Sequence, residues 1–301
     1  LKGLEAAEFS LPADNEAEIY AHLGLQWVPP ELREDSGEIE AAENDGLPQL
    51  MEPSMLKGAF HNHTTASDGT ATLSQMAAAA QDLGWEFLGI ADHSQILQIA
   101  SGLSPDELVA QAAEVRALNE NWADKGVDFR LFHGNECDIL PDGGLDYTDE
   151  ERSLLDHVVG SVHQLPTWMK RDEDVNTEAL IRAIENPSLT ILGHPTGRIL
   201  GGRDGFAVDL HAVLRRMGEL NAEGELKVVE INASPYRLDL DWRYCRYAKE
   251  QGVPISINPD AHSQQGLKDV WFGAQIARKG WLEETDILNC RSGADLEQLL
   301  W

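Results

Sequence analysis

Basic side chains are scarce in this sequence: 23 Lys and Arg stand against 52 Asp and Glu, a formal net charge of −29. That argues against a broad nucleic-acid-binding face, which needs a stripe of cations to neutralise phosphates. A polyanionic substrate would have to be held by a few local cations or by bound metal. Most of the acidic excess reads as solvated surface. Cysteine is also scarce. Cys137, Cys245 and Cys290 are odd in number and widely spaced, with no C-x-x-C pair, so no disulfide framework is indicated and a reducing cytoplasm fits best. Nowhere do 18 consecutive apolar residues occur, and residues 1–30 lack a basic start followed by an apolar run. Neither a membrane span nor a signal peptide is therefore expected.

What is present is the composition of an ordinary globular chain, 42% hydrophobic and 25% charged over 301 residues, enough for one large α/β barrel or two medium domains. Residues 1–56 stand apart, with 13 acidic and 2 basic side chains and prolines at 12, 29, 30, 48 and 53. One short helix near 15–23 is all their pattern supports, and the stretch reads as an acidic linker or wrapping arm. From Lys57 onward, short apolar runs alternate with helical patterns, as βα units do. Seven strands are expected: Ala59-Phe60 leading to His61, then 87–91, 129–132, 158–162, 190–192, 228–231 and 255–257. Helices are expected between them at 73–83, 105–123, 177–186, 209–222, 242–250 and 268–279. Ser104-Pro105 ahead of Asp106 and Glu107 is a readable helix start. So many consecutive βα units favour a closed or nearly closed barrel over an open sheet.

The histidines carry the chemistry. Of ten, six directly follow an expected strand: His61, His63, His93, His163, His194 and His262. In a parallel barrel all such ends share one face, where these folds keep their active sites. Asp68, Glu136 and Asp260 occupy the same kind of position, and imidazole with carboxylate suits Zn, Mn or Fe. In His61-Asn62-His63 the two imidazoles point the same way from an extended segment and can grip one metal. Gly69 gives the following loop its turn. His22, His133, His157 and His211 lie elsewhere and read as structural or surface residues. Arg198 and Arg203, on the Gly-rich loop after His194, are candidate phosphate clamps because a guanidinium fork matches two phosphate oxygens. Arg237 is a third, and Asn232 could orient substrate or water. Trp168, Lys170 and Arg171 follow His163 and could meet a base, although a plain surface loop is the simpler reading.

This pattern resembles the PHP (polymerase and histidinol phosphatase) family over Lys57 to about Leu300. The segments IYAHLGLQWVPPELRE, GHPTGRILGGRDGF and VEINASPYRLDL are most similar to the C-terminal PHP module of bacterial family X DNA polymerases. The resemblance implies a distorted seven-stranded, TIM-like (β/α)7 barrel over 57–301 with three divalent ions, Mn, Zn or Fe, at the C-terminal ends of the strands. It assigns His61, His63, Glu136 and Asp260 to one ion, Glu136, His163 and His194 to a second, and Asp68, His93 and His262 to a third. One carboxylate can bridge two cations in this way. Phosphoester hydrolysis is implied, with Glu136, Asp260 and His262 in catalytic roles, as 3′–5′ exonuclease or 3′-end processing of DNA in repair. A phosphatase of small phosphomonoesters is the alternative, and a non-catalytic scaffold for a polymerase the third reading. The sequence departs from the family X pattern in one respect: no polymerase core or helix-hairpin-helix segment lies within these residues, so the partner that would supply a basic duplex-binding surface is not in this chain.

Overall fold

The computed structural model describes residues 13–300. It divides into two compact units, the first ending at Gln49 and the second beginning at Leu50. In the first unit, α1 (Glu16–His22) is capped by Asn15, whose side chain accepts from Glu18 N. Arg33 pairs with Glu16 at 2.7 Å and lies over the Tyr20 ring. A second helix, α2 (Glu38–Glu43), follows Asp35 and Ser36, whose backbone N–H groups donate to the Glu38 carboxylate.

The second unit alternates helices α3 (Leu73–Asp82), α4 (Pro105–Asp124), α5 (Asp149–Arg152), α6 (Leu165–Trp168), α7 (Glu173–Ile184), α8 (Leu210–Ala222), α9 (Trp242–Glu250), α10 (Val270–Lys279) and α11 (Gly293–Leu300) with six strands. These are β1 (Phe87–His93), β2 (Arg130–Asp138), β3 (His157–Ser161), β4 (Ile191–Leu192), β5 (Val228–Asn232) and β6 (Ile255–Asn258). The helices begin where local chemistry satisfies their free N–H groups: Thr72 with Gln75 and Ser104 with Glu107 form reciprocal caps, and Pro105 opens α4. All strand neighbours are parallel and follow chain order, β1-β2-β3-β4-β5-β6. This is the winding of a barrel, not of a sheet that reverses at its middle. Apolar side chains sit on both faces of the sheet, as a fully covered parallel sheet requires. Most of the core lies between strands and helices. A smaller cluster of Phe60, Phe87, Phe132, Val159, Ile191 and Val228, closed by Leu288 and Leu296, lies on the other side.

The seven expected strands become six. The stretch around Ala59-Phe60 is extended yet forms no ladder, because side chains take up its backbone groups. Phe60 N donates to Asn258 Oδ1 and His157 Nε2 donates to Phe60 O, both at 2.9 Å. The segment still reaches both sheet edges: Ala59 O and Asn62 O accept from Gly89 and Ala91 of β1, and His63 N donates to Ala261 O beyond β6. The β2 strand also runs farther than expected and contains Glu136 in its body.

Candidate metal centre

Period-two alternation along the strands builds the site. Inward positions that are apolar low in the sheet, Phe87 and Phe132, give way three pleat repeats later to His93 on β1 and two repeats later to Glu136 on β2, which are paired residues in the β1–β2 register. Glu136 is the hub, 1% exposed. Its Oε1 lies 2.8 Å from His194 Nε2, 3.2 Å from His163 Nε2 and 3.3 Å from His61 Nε2. Its Oε2 lies 2.9 Å from His93 Nδ1 and 3.6 Å from His63 Nε2. Asp260, whose φ of 54° is an uncommon left-handed backbone, brings Oδ1 to 3.0 Å from His63 Nε2 and 3.6 Å from His61 Nε2. At the more exposed mouth, Asp68 Oδ1 lies 3.3 Å from His262 Nε2 and 3.6 Å from His93 Nε2. All nine expected ligands are thus brought together.

Three groups have one ligand atom per residue within 4.8 Å of one another: His63 with Asp68, His93 and His262; His61 with His63 and Glu136; and His93 with Glu136 and His163. His63 and His93 each belong to two of them, a sharing absent from the sequence-based allotment. The donor set fits divalent cations on its own chemistry. His61 Nε2, His63 Nδ1, His93 Nδ1 and Glu136 Oε2 are buried without an aligned hydrogen bond, a costly arrangement for a site holding protein alone, although His93 Nδ1 and Glu136 Oε2 are only 2.9 Å apart.

Carboxylates that the sequence reading passed over hold the imidazoles from behind. Glu230 Oε1 accepts from His61 Nδ1 at 2.9 Å, and its Oε2 accepts from His194 N at 2.7 Å. Asp138 Oδ2 lies 3.2 Å from His163 Nδ1. Asp92 accepts from Thr64 N, Thr64 Oγ1, Ser67 Oγ and Gln111 Nε2, which fixes the loop bearing Asp68. Their signal was a carboxylate inside an apolar strand, as in VVEIN.

The electrostatics are those of a cation site. Burial works against charge on His93 and His163, but Glu136, with Asp68 for His93 and Asp138 for His163, outweighs it and raises them to about 10 and about 9. Burial opposes ionisation of Glu136 too, yet the surrounding imidazoles hold it well below the usual carboxylate range, and His61 and His63 do the same for Asp260. His194 is pushed down to about 4 by burial and by Arg237.

Arg237 is the expected cation that meets the cluster, with Nε 3.5 Å from Asp260 Oδ2, and Asn232 Nδ2 donates to that same oxygen at 3.0 Å. Arg198 is committed to its own loop surroundings, donating to Arg237 O, Leu238 O and Asp241 Oδ2. Arg203 donates to Gly197 O. Both arginines line a cavity of about 780 Å³, with Phe206, His211 and Tyr244, that includes none of the nine ligands. Trp168 is fully buried beneath Arg171, so it cannot stack on a base as the sequence suggested. His133, His157 and His211 lie outside the cluster: His133 bonds Leu154 and Gln111, His157 bonds Phe60, and His211 packs against Tyr244 and Tyr247.

The PHP domain family model matches residues 59–234, more than half of the chain, and a DNA polymerase beta thumb model matches residues 2–34. The DNA polymerase/3'-5' exonuclease PolX of Bacillus subtilis (strain 168) is 40% identical over 286 residues, 95% of this chain and 48% of that protein. The chain therefore spans about half the length of that relative. Probable phosphatase Teth514_1060 of Thermoanaerobacter sp. (strain X514) is 26% identical, over 79% of this chain and 92% of its own. In fold, the chain is similar to histidinol phosphate phosphatase of Lactococcus lactis subsp. lactis Il1403, solved with zinc, L-histidinol and phosphate, at a TM-score of 0.50 and 16% identity, over 72% of this chain and 93% of the other. No described helix is long and apolar enough to cross a membrane.

Proposed function

The chain belongs to the PHP domain family, and from that premise we propose that it is a metal-dependent phosphoesterase that removes nucleotides from DNA 3′ ends. The observation that carries this reading is Glu136, whose two carboxylate oxygens face different sets of imidazoles. The 40% identity to an exonuclease over 95% of the chain supports the nucleic-acid substrate. The finer parts belong to the same proposal: a distorted barrel in which the segment bonded to both sheet edges serves as a seventh strand, an acidic arm over 1–56, the PHP domain over 57–301, a polymerase core as partner, and a cytoplasmic setting.

His61, His63, Asp68, His93, Glu136, His163, His194, Asp260 and His262 would hold three divalent ions, Mn, Zn or Fe. Bound, these would supply Lewis-acid polarisation of the phosphoryl oxygens and a lowered pKa for a coordinated water. The chain's own groups do the rest. Glu230 and Asp138 set the imidazole orientations. Asn232 steers Asp260. Arg237 offsets charge on the substrate phosphate, and His262, 39% exposed at the mouth, or Asp260 would assist proton transfer. Arg198 and Arg203 would meet a phosphate only where it enters their neighbouring cavity.

A second reading, hydrolysis of small phosphomonoesters, is favoured by the probable phosphatase that this chain covers almost end to end. Purified protein with Mn²⁺, tested on 3′-recessed DNA, single-stranded DNA and a phosphomonoester panel, separates the two. Nucleotide release is expected, with Glu136→Gln losing on the order of 100-fold or more in metal affinity and activity. Turnover of small monoesters alone would overturn the DNA reading, and full activity of metal-loaded Glu136→Gln would overturn the bridging role.

A further inference from the structure

Tyr236 is 73% exposed and Leu200 is 47% exposed. Scattered exposed apolar residues need no explanation, but these two are joined and placed. Leu200 N donates to Tyr236 O at 2.7 Å, which staples the loop after β4 to the loop after β5. One loop starts beside His194 and the other beside Asn232, both in the cluster. Tyr236 immediately precedes Arg237, the cation 3.5 Å from Asp260, and consecutive Cα atoms are about 3.8 Å apart. The phenol ring makes no aromatic or cation contact among the described residues, and the other aromatic expected near the mouth, Trp168, is buried.

We infer that Tyr236, on the loop that the Leu200 backbone N–H ties down, is the stacking platform for the base of the nucleotide whose phosphodiester lies at Arg237. This rests on the phosphoesterase reading and narrows its substrate class to nucleic acid with an unpaired terminal base. Physical need points the same way. A chain of net charge −29 offers a strand few cations beyond Arg237, so stacking, which every base offers whatever its sequence, adds affinity that phosphate contacts along the strand do not. An aliphatic phosphomonoester has no π-face and would leave the platform unused.

The test compares thymidine 5′-(p-nitrophenyl) phosphate with methyl p-nitrophenyl phosphate, which share a scissile bond and differ in the nucleoside, base and sugar together. Tyr236→Ala should lower kcat/KM for the thymidine ester by about 5- to 150-fold more than for the methyl ester, mainly through KM, and Tyr236→Trp should restore the ratio. An oligodeoxynucleotide ending in 2-aminopurine should lose fluorescence on binding the wild-type protein and lose less with Tyr236→Ala. Parallel loss on both esters, or equal quenching by both proteins, overturns the platform while the phosphoesterase reading stands. Hydrolysis of neither ester by the metal-loaded wild type removes both.

Discussion

Glu230 shows how a side chain that need not touch substrate can decide the chemistry. Its two oxygens accept from two different donors, the His61 ring at Nδ1 and the His194 backbone N–H. A proton on His61 Nδ1 leaves the Nε2 lone pair facing Glu136, the tautomer a metal ligand needs. Glutamine at 230 has a single acceptor oxygen, so one donor would lose its partner and an amide N–H would face it. Glu230→Gln is expected to retain the fold and weaken metal binding about 10- to 100-fold, read by titration of the metal-stripped protein. Wild-type affinity in the variant would refute the orienting role. The nine candidate ligands were legible because each follows an expected strand, although in the structure Glu136 lies inside β2 and His93 is the last residue of β1. Glu230 was not, because it lies within an expected strand, and Asp138, the last residue of β2, was not either: only the fold reveals which carboxylate backs which imidazole. The same limit hid the fate of Arg198, whose guanidinium is taken up by Leu238, Arg237 and Asp241.

At the scale of elements, the periodic segments were legible and the irregular one was not. The β1, β5 and β6 strands begin at their expected residues, and α4 begins at its capping box. The segment at Ala59-Phe60 escaped because Asn258 and His157, 198 and 97 positions away, replace its ladder partners. That replacement has a pH consequence. His157 is buried at the start of β3 beside the Phe60 ring, and burial, chiefly, lowers its pKa from 6.5 to about 4. The folded state therefore keeps His157 neutral while the unfolded chain takes up a proton. Stability is complete above about pH 6.5 and falls as the pH drops toward 4, by up to about 3 kcal/mol if this group acts alone. Glutamine can still donate to Phe60 O but does not titrate. Urea denaturation at about pH 7 and about pH 4.5 should show a loss smaller by ~2–3 kcal/mol in His157→Gln than in wild type. Equal losses would show that other groups govern the acid limb.

For the whole molecule, the largest electrostatic fact is the concentration of negative charge around one well. Asp68, Glu136, Asp138, Glu230 and Asp260 crowd the imidazoles, with Arg237 as the cation in contact. Protons on His93 and His163 offset part of this charge, since those groups are raised to about 10 and about 9. A divalent ion would offset more and would give the buried atoms without an aligned hydrogen bond a partner. Binding to the folded state alone must then stabilise it, by about 2.7 kcal/mol per ion at a hundredfold excess over Kd. For a unit of this size that corresponds to a Tm shift of roughly 5–10 °C for one ion. Chelation followed by dialysis should lower Tm by at least that amount, and micromolar Mn²⁺ or Zn²⁺ should restore it. General screening of the −29 charge predicts a different dose dependence, because Debye screening needs salt near 0.1 M. NaCl at about that concentration should therefore leave most of the deficit in place. Recovery with NaCl as complete as with micromolar divalent ion would mean that the well is an acidic surface feature and not a metal centre.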